Sequence, residues 1–262
     1  MNAVTTRAGT GPVTRSTVQP GSSDGAPRRA FVEQVMGLPV SVHVRGEVDR
    51  PEVGTAVEQV WGVLHRADAV FSTWRPDSEL MRLRRGDVSA AQVHPWLAEV
   101  EQLCVDAERR TGGLFSASFD GAHHDPTGLV KGWAVERAAL HLRHVLGISW
   151  CVNAGGDLLA GVGRDAGPST WRIGVEDPRA PGAVAATIPL RAGGLATSGA
   201  AARGAHVVDP RTGTPIGRAG SATVWGPTLL WADVWATALF VDPAAGAATL
   251  EGADPAYRSL VL

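Results

Sequence analysis

Apolar residues outline the elements of this chain before any motif is read. In FVEQVMGLPVSVHV, Val40, Val42 and Val44 alternate with polar neighbours, which predicts a strand leaving a turn at Gly37-Leu38-Pro39. From Pro51 to Val70 the spacing changes: Val53, Val57, Val60, Leu64 and Ala67 recur near the helical period, so an amphipathic helix is expected. HPWLAEVEQLCVDAERRTGG is a second helix, with Leu97, Val100, Leu103, Cys104 and Ala107 as its apolar stripe and Gly112-Gly113 as its stop. Gly132 to Val145 reads as a third, entered from a loop that holds Lys131.

Short strand-like segments follow, each bounded by glycine or proline: SWCVNAGGDLLAGVG, WRIGVEDP and ATIPLRAGGLATSG. AHVVDPRTGTPI runs from a strand into a turn, and SATVWGP is another strand. TLLWADVWATALFV is apolar nearly all round, as a buried helix is. Strands are grouped instead of alternating with helices, which predicts an α+β fold over a doubly wound sheet. Order is expected from about Ala30, giving a Gly/Ser/Thr/Pro-rich leader over residues 1–30 and one domain over residues 31–262.

Composition narrows the class. The chain has 262 residues, enough to bury a sizeable core, and 44% of them are hydrophobic against 19% charged. A formal net charge of -2 gives no electrostatic reason to expect nucleic acid or an anionic membrane as partner. Cys104 and Cys151 stand far apart in apolar surroundings and fit no zinc spacing, so buried free thiols are expected. The N-terminus lacks an apolar run of about 7–15 residues, and no segment offers the roughly 20 of a membrane span. A cytoplasmic location is the expectation.

Candidate chemistry begins with Lys131, the single lysine among 24 Lys+Arg. A lysine is a compact, strongly hydrated point charge and an arginine a planar fork, so the two differ at a tight site. Lys131 is either such a contact or what an arginine-rich composition happened to leave. In the last apolar helix Asp233 and Thr237 stand four apart, on one face. A carboxylate there needs a partner or a cation, and a hard ion such as Mg²⁺ takes oxygen ligands of these kinds. Equally, Thr237 could bond its own helix while Asp233 pairs with an arginine. His206 precedes the Asp209-Pro210 turn and has the pKa range of a base, or is an ordinary strand histidine. NAGGDL and LATSGA allow close approach of backbone to a ligand, or form tight hairpins. In FSTWRPDSEL, Trp74 either stacks on a planar ligand or covers the core.

These segments occur in one order from about Val35 to Val241: Met36-Gly37, FSTWRPDSEL, TGGLF at Thr111–Phe115, DPTGLVKGWAVERA, NAGGDL, EDP, LATSG, HVVDPRTGTPI and WADVWATAL. With that order and spacing the chain resembles the ApbE-type flavin transferases, which move FMN from FAD onto a threonine or serine of a target protein. The resemblance implies mixed, largely antiparallel sheets with packed helices and a flavin site in a cleft between two halves. It implies Mg²⁺ held by Asp233, Thr237 and the carbonyl of Gly128, with FAD as substrate. It places Lys131 and Ala134 at the nucleotide and Met36, Trp74, Leu114, Phe115 and Ile216 around the rest of FAD, and it offers either His206 or metal-bound Asp233 as the base. The partner would be a protein with an acceptor Thr/Ser in a short D-G-x-[ST]-G-like segment.

The chain departs from the family's pattern in three places. Ser116 follows Phe115 where the family commonly has aspartate, which removes one polar FAD contact or shifts it to Asp120. The interval FSASFDGAHHDPTG is short, and the usual lipoprotein signal is absent. Two other activities fit the same motifs: an FAD pyrophosphatase releasing FMN and AMP, and a non-enzymatic FAD-binding protein.

Overall fold

A computed structural model describes residues 17–18, 25–118, 124–167, 169–199 and 207–262. In chain order its elements are β1 (Thr17–Val18), β2 (Arg28–Val35), β3 (Leu38–Gly46), α1 (Pro51–Phe71), α2 (Glu79–Arg84), a 3-10 turn (Ala90–Gln92), α3 (Trp96–Arg110) and α4 (Thr127–Arg143). Then come β4 (Ile148–Ala154), β5 (Asp157–Val162), β6 (Trp171–Glu176), β7 (Val184–Leu190) and β8 (Gly193–Gly199). The chain closes with β9 (Val208–Asp209), β10 (Thr214–Pro215), β11 (Ser221–Gly226), α5 (Leu229–Val241), α6 (Pro243–Ala253) and β12 (Arg258–Val261).

The fold is α+β, with antiparallel sheets as expected. Seven strands form one sheet in the order β12-β11-β8-β5-β4-β3-β2, and β1-β6-β7 form a smaller one. Alternation along the strands divides the interior between the two faces of the large sheet. Val152, Leu159 and Ala196 join Val40, Val42 and Val44 in the core against α1, α4 and α5. Their sequence neighbours Cys151, Leu158 and Leu195 point the other way, onto Trp171, Ile173 and Leu190 of the small sheet. The molecule is thus three layers: helices, large sheet, small sheet.

Three readings of the sequence are refined here. The expected strand around Val40 is the second arm of a hairpin, whose turn is Met36-Gly37 and not Gly37-Leu38-Pro39. Both turn residues have positive φ, 56° at Met36 and 73° at Gly37, a region most non-glycine residues avoid. SWCVNAGGDLLAGVG is likewise a hairpin, β4 to β5, closed where the Asn153 side chain accepts the Gly156 N–H at 2.9 Å. The third helix starts at Thr127, five residues before Gly132, so Lys131 lies in a helix and not in a loop. Asp125 begins it by accepting the Thr127 N–H at 3.0 Å, and packing offsets the helix cost of Gly128 and Gly132.

The helix expected around Asp233 is α5, buried along nearly its whole length. Leucine, valine and aromatic side chains buried to this degree stabilise by about 1.5–3 kcal/mol each, which holds the helix against the large sheet. Both cysteines are buried and free, and burial pushes each thiol up to about 12. Among the described residues no helix is long and apolar enough to cross a membrane.

Candidate functional site

β5 and β8 run paired only from Leu158↔Leu195 to Ala160↔Gly193, and beyond Leu158 the ladder opens. Asp157 occupies that opening. One of its oxygens, Oδ1, accepts the backbone N–H of Thr197 at 3.1 Å, so a side chain takes over where strand pairing stops. The other oxygen, Oδ2, pairs with the ammonium of Lys131, which comes down from the second turn of α4. The same ammonium lies 3.5 Å from Asp233 Oδ2 on α5. Asp157 and Asp233 are buried, with side chains 3% and 7% exposed, while Lys131 at 27% keeps a route to solvent.

Hydroxyls extend the cluster. Thr237, one turn after Asp233, places Oγ1 3.1 Å from Ser198 Oγ on β8, and Thr197 meets Thr223 of β11 at 2.9 Å. Asp233 therefore has a lysine as partner where an arginine was one alternative, and Thr237 reaches across to the sheet. Two helices and one opened strand pair thus bring a cation, two carboxylates and several hydroxyls together. Two buried carboxylates around one ammonium leave an excess of negative charge, which favours any further cation.

The oxygens present are those a hard divalent cation takes. Among the described residues no three His, Cys, Asp or Glu side chains gather as a metal cage. The expected donor set is of another kind: one carboxylate, one hydroxyl and one backbone carbonyl. Its chemistry fits Mg²⁺, and Asp157 and Ser198 add oxygens beside it. Gly128 lies in the first turn of α4, where an added Cβ would come within 3.4 Å of the Phe115 ring.

The other expected residues are spread over several parts of the fold. Leu114, Phe115 and Ala134 are buried in the main core, and Met36 and Ile216 pack partly buried against it. The Ile216 N–H donates to Val207 O at 2.8 Å, closing the β9–β10 turn. Trp74 is 94% exposed, so it does not cover the core. Its loop is nonetheless tied down: Arg75 bridges Asp68 at 3.3 Å and Asp77 at 3.0 Å, and Ser78 donates to Ser72 O at 2.7 Å. Ser116, in the place of the family's aspartate, gives its hydroxyl to Glu108 at 3.2 Å. His206 and Asp120 lie outside the described residues.

Asp209 braces its turn. Its Oδ1 accepts the Arg211 N–H at 2.9 Å, its backbone carbonyl accepts from Gly213 at 2.8 Å, and the Arg211 guanidinium holds its carboxyl below the usual range. Asp157 is the residue that sequence reasoning missed. The signal was a charge opening a strand, DLLAGV, whose other side chains are apolar.

Comparisons with known proteins bear on the family and the fold. The sequence model described as the ApbE family matches residues 36–124 and 116–258. An FAD:protein FMN transferase of Klebsiella pneumoniae is 37% identical over 275 aligned residues, covering 79% of this chain and 77% of that protein. Its Haemophilus influenzae namesake is 31% identical over 162 residues, and the match spans 58% of this chain but only 46% of that protein. Among solved structures, the ApbE protein of Thermotoga maritima superposes with a TM-score of 0.73 at 20% identity, covering 90% of this chain and 94% of that one. At that identity the likeness speaks for the fold.

Proposed function

The chain belongs to the ApbE family, and on that premise we propose that it is an FAD:protein FMN transferase acting on a threonine or serine hydroxyl of an acceptor protein. The observation that carries the proposal is the set Lys131, Asp157, Asp233 and Thr237, drawn from α4, β5 and α5 into one oxygen-rich cluster in which Lys131 stays partly exposed. FAD would lie in a cleft beside it, with Met36, Trp74, Leu114, Phe115, Ala134 and Ile216 as its surroundings.

In the reaction, the acceptor hydroxyl oxygen attacks the FMN phosphorus of FAD, the phosphorus–oxygen bond to the AMP half breaks, and AMP leaves with the electron pair. A neutral hydroxyl is a poor nucleophile, so its proton must pass to a base within hydrogen-bond reach. His206 or Asp233 takes that role. Lys131 holds the phosphate oxygens as a point charge, and Asp157 keeps its ammonium aimed at them. Asp233, Thr237 and the Gly128 carbonyl would hold Mg²⁺, which when bound supplies neutralising charge to the pyrophosphate.

The test is mass spectrometry of a candidate acceptor carrying a D-G-x-[ST]-G-like segment, after incubation with FAD, Mg²⁺ and this protein. A covalent FMN increment that requires all components is expected. Rapid AMP release without acceptor would instead make the protein a pyrophosphatase, and unchanged FAD that stays bound would make it a carrier.

A further inference from the structure

The cluster works only if α4 and α5 are in register, because Lys131 belongs to one and Asp233 to the other. Their backbones pack closely at the start of α5, with bare backbone on one side and a carboxylate on the other. A Cβ added to Gly132 would come within 2.9 Å of Leu230 Cα and 3.2 Å of the Leu229 carbonyl oxygen. Gly194 of β8 is tighter, with Leu229 Cα 2.3 Å from its would-be Cβ. The first turn of α5 is therefore seated directly on α4 and β8, the elements that carry Lys131 and Ser198.

One polar contact fixes it along its axis. Glu136, four residues after Gly132 and on the same face of α4, accepts the Leu229 N–H at 2.5 Å, and the Leu230 N–H donates to it as well. These are orphan donors of the first turn, which a carboxylate satisfies while opposing the positive end of the helix. Thr228 caps the same turn from its own chain, accepting from Trp231 at 3.4 Å, and Tyr257 bonds Thr228 at 2.8 Å. Glu136 ties that turn to α4 by hydrogen bonds. Burial raises its carboxyl above the usual range, with the two N–H groups drawing it part of the way back.

We infer that Glu136 is a positioning residue: by holding the Leu229 and Leu230 N–H groups from α4, it sets how far Asp233 and Thr237 sit from Lys131. Leu229 and Asp233 are one helical turn apart, so an axial slip of α5 carries the carboxylate with it. The inference rests on the reading of Asp233 and Thr237 as cation ligands, and its test separates the two.

The probe is Mn²⁺ alone, its binding to the full chain followed by electron paramagnetic resonance at a temperature well below unfolding. Outer partners of metal ligands typically change affinity by about 10–100-fold, and Glu136→Ala is expected to lose about tenfold. Glu136→Gln, whose amide oxygen still accepts an N–H, is expected to bind like the parent. Parent-like affinity in Glu136→Ala would overturn the inference, as would Gln binding as weakly as Ala, since charge and not contact would then matter. If the alanine variant does not fold, Glu136→Asp replaces it. That variant keeps the charge on a shorter arm, so weakened Mn²⁺ binding in a protein melting near the parent supports the inference, and parent-like binding sinks it. A parent that binds no Mn²⁺ overturns the cation reading itself.

Discussion

Two clusters in this molecule share the same charges, one cation between two aspartates, and differ in everything else. Lys131 lies between Asp157 and Asp233 with both acids buried. Arg211 lies between Asp209 and Asp242 at the surface, itself 46% exposed. Arg211 spends its fork on fixed bonds: Nε and Nη2 go to Asp209 and Nη1 to Asp242, at 2.8–3.3 Å. It is a brace between the β9–β10 turn and the start of α6. Lys131 has no fork, and one of its acids stays at 3.5 Å with hydroxyls close by. A point charge so placed can be shared or displaced by an incoming ion, whereas a bidentate brace cannot without breaking the turn. Buried position and exchangeable geometry, more than the presence of an ion cluster, set the proposed functional centre apart.

The largest expected effect comes from removing the acid that the cation of the buried cluster holds at longer range. Asp233→Ala leaves Lys131 paired with Asp157, so the fold should hold, with a melting temperature within about 4 °C of the parent. Loss of a transition-state charge contact worth about 3 kcal/mol corresponds to a hundredfold drop in rate, and Mg²⁺-dependent flavinylation should fall at least that far. Transfer of FMN by this variant as fast as by the parent would falsify the assignment of Asp233.

A smaller effect tests the choice of lysine. Lys131→Arg keeps the charge and makes the buried cluster imitate the exposed one. A fork needs two acceptor oxygens in plane and more room than Asp157 and Asp233 leave, so FAD affinity and turnover should each drop by roughly tenfold. Equilibrium titration of FAD and single-turnover rates measure the two separately. Unchanged values in both would reduce the lone lysine to a consequence of composition.

Much of this was readable from the sequence, and what was not has a physical reason. The start and end of α5 fell within a residue of expectation because an all-apolar run meets a capping threonine, Thr228, which a sequence displays openly. The start of α4 was misplaced because the helix was begun at Gly132, with Gly128 and Lys131 left in a loop. Only contacts made elsewhere in the chain, with the Phe115 ring and the first turn of α5, reveal why glycine sits there. Asp157 was passed over for the same reason: its bonds run to Thr197 and Lys131, far away in sequence. Nothing in the sequence singles out Glu136 either, because its partner Leu229 opens α5, far along the chain. Periodicity reports the layer a residue faces; partners across layers are beyond it.

The smallest expected effect lies in the exposed cluster and shows itself with acid. Asp209 is held below the usual carboxyl range by the Arg211 guanidinium; Asp242 is held there first by the Ala245 N–H at the start of α6 and then by Arg211. A carboxyl with a lowered folded pKa stabilises the native state above the ordinary aspartate value near 3.8, and that contribution fades as pH falls toward and through the lowered values. Arg211→Gln should remove part of the effect, so the parent's advantage in melting temperature should be present at pH 6 and shrink by pH 3. Solvent screens the pair, and the turn keeps its backbone bonds from Thr212 and Gly213 to Asp209, so the advantage should be only roughly 2 °C. An advantage that grew on acidification would mean that Arg211 acts through something other than these two acids. An advantage far above that size would mean that the brace carries stability of the kind assigned here to burial alone.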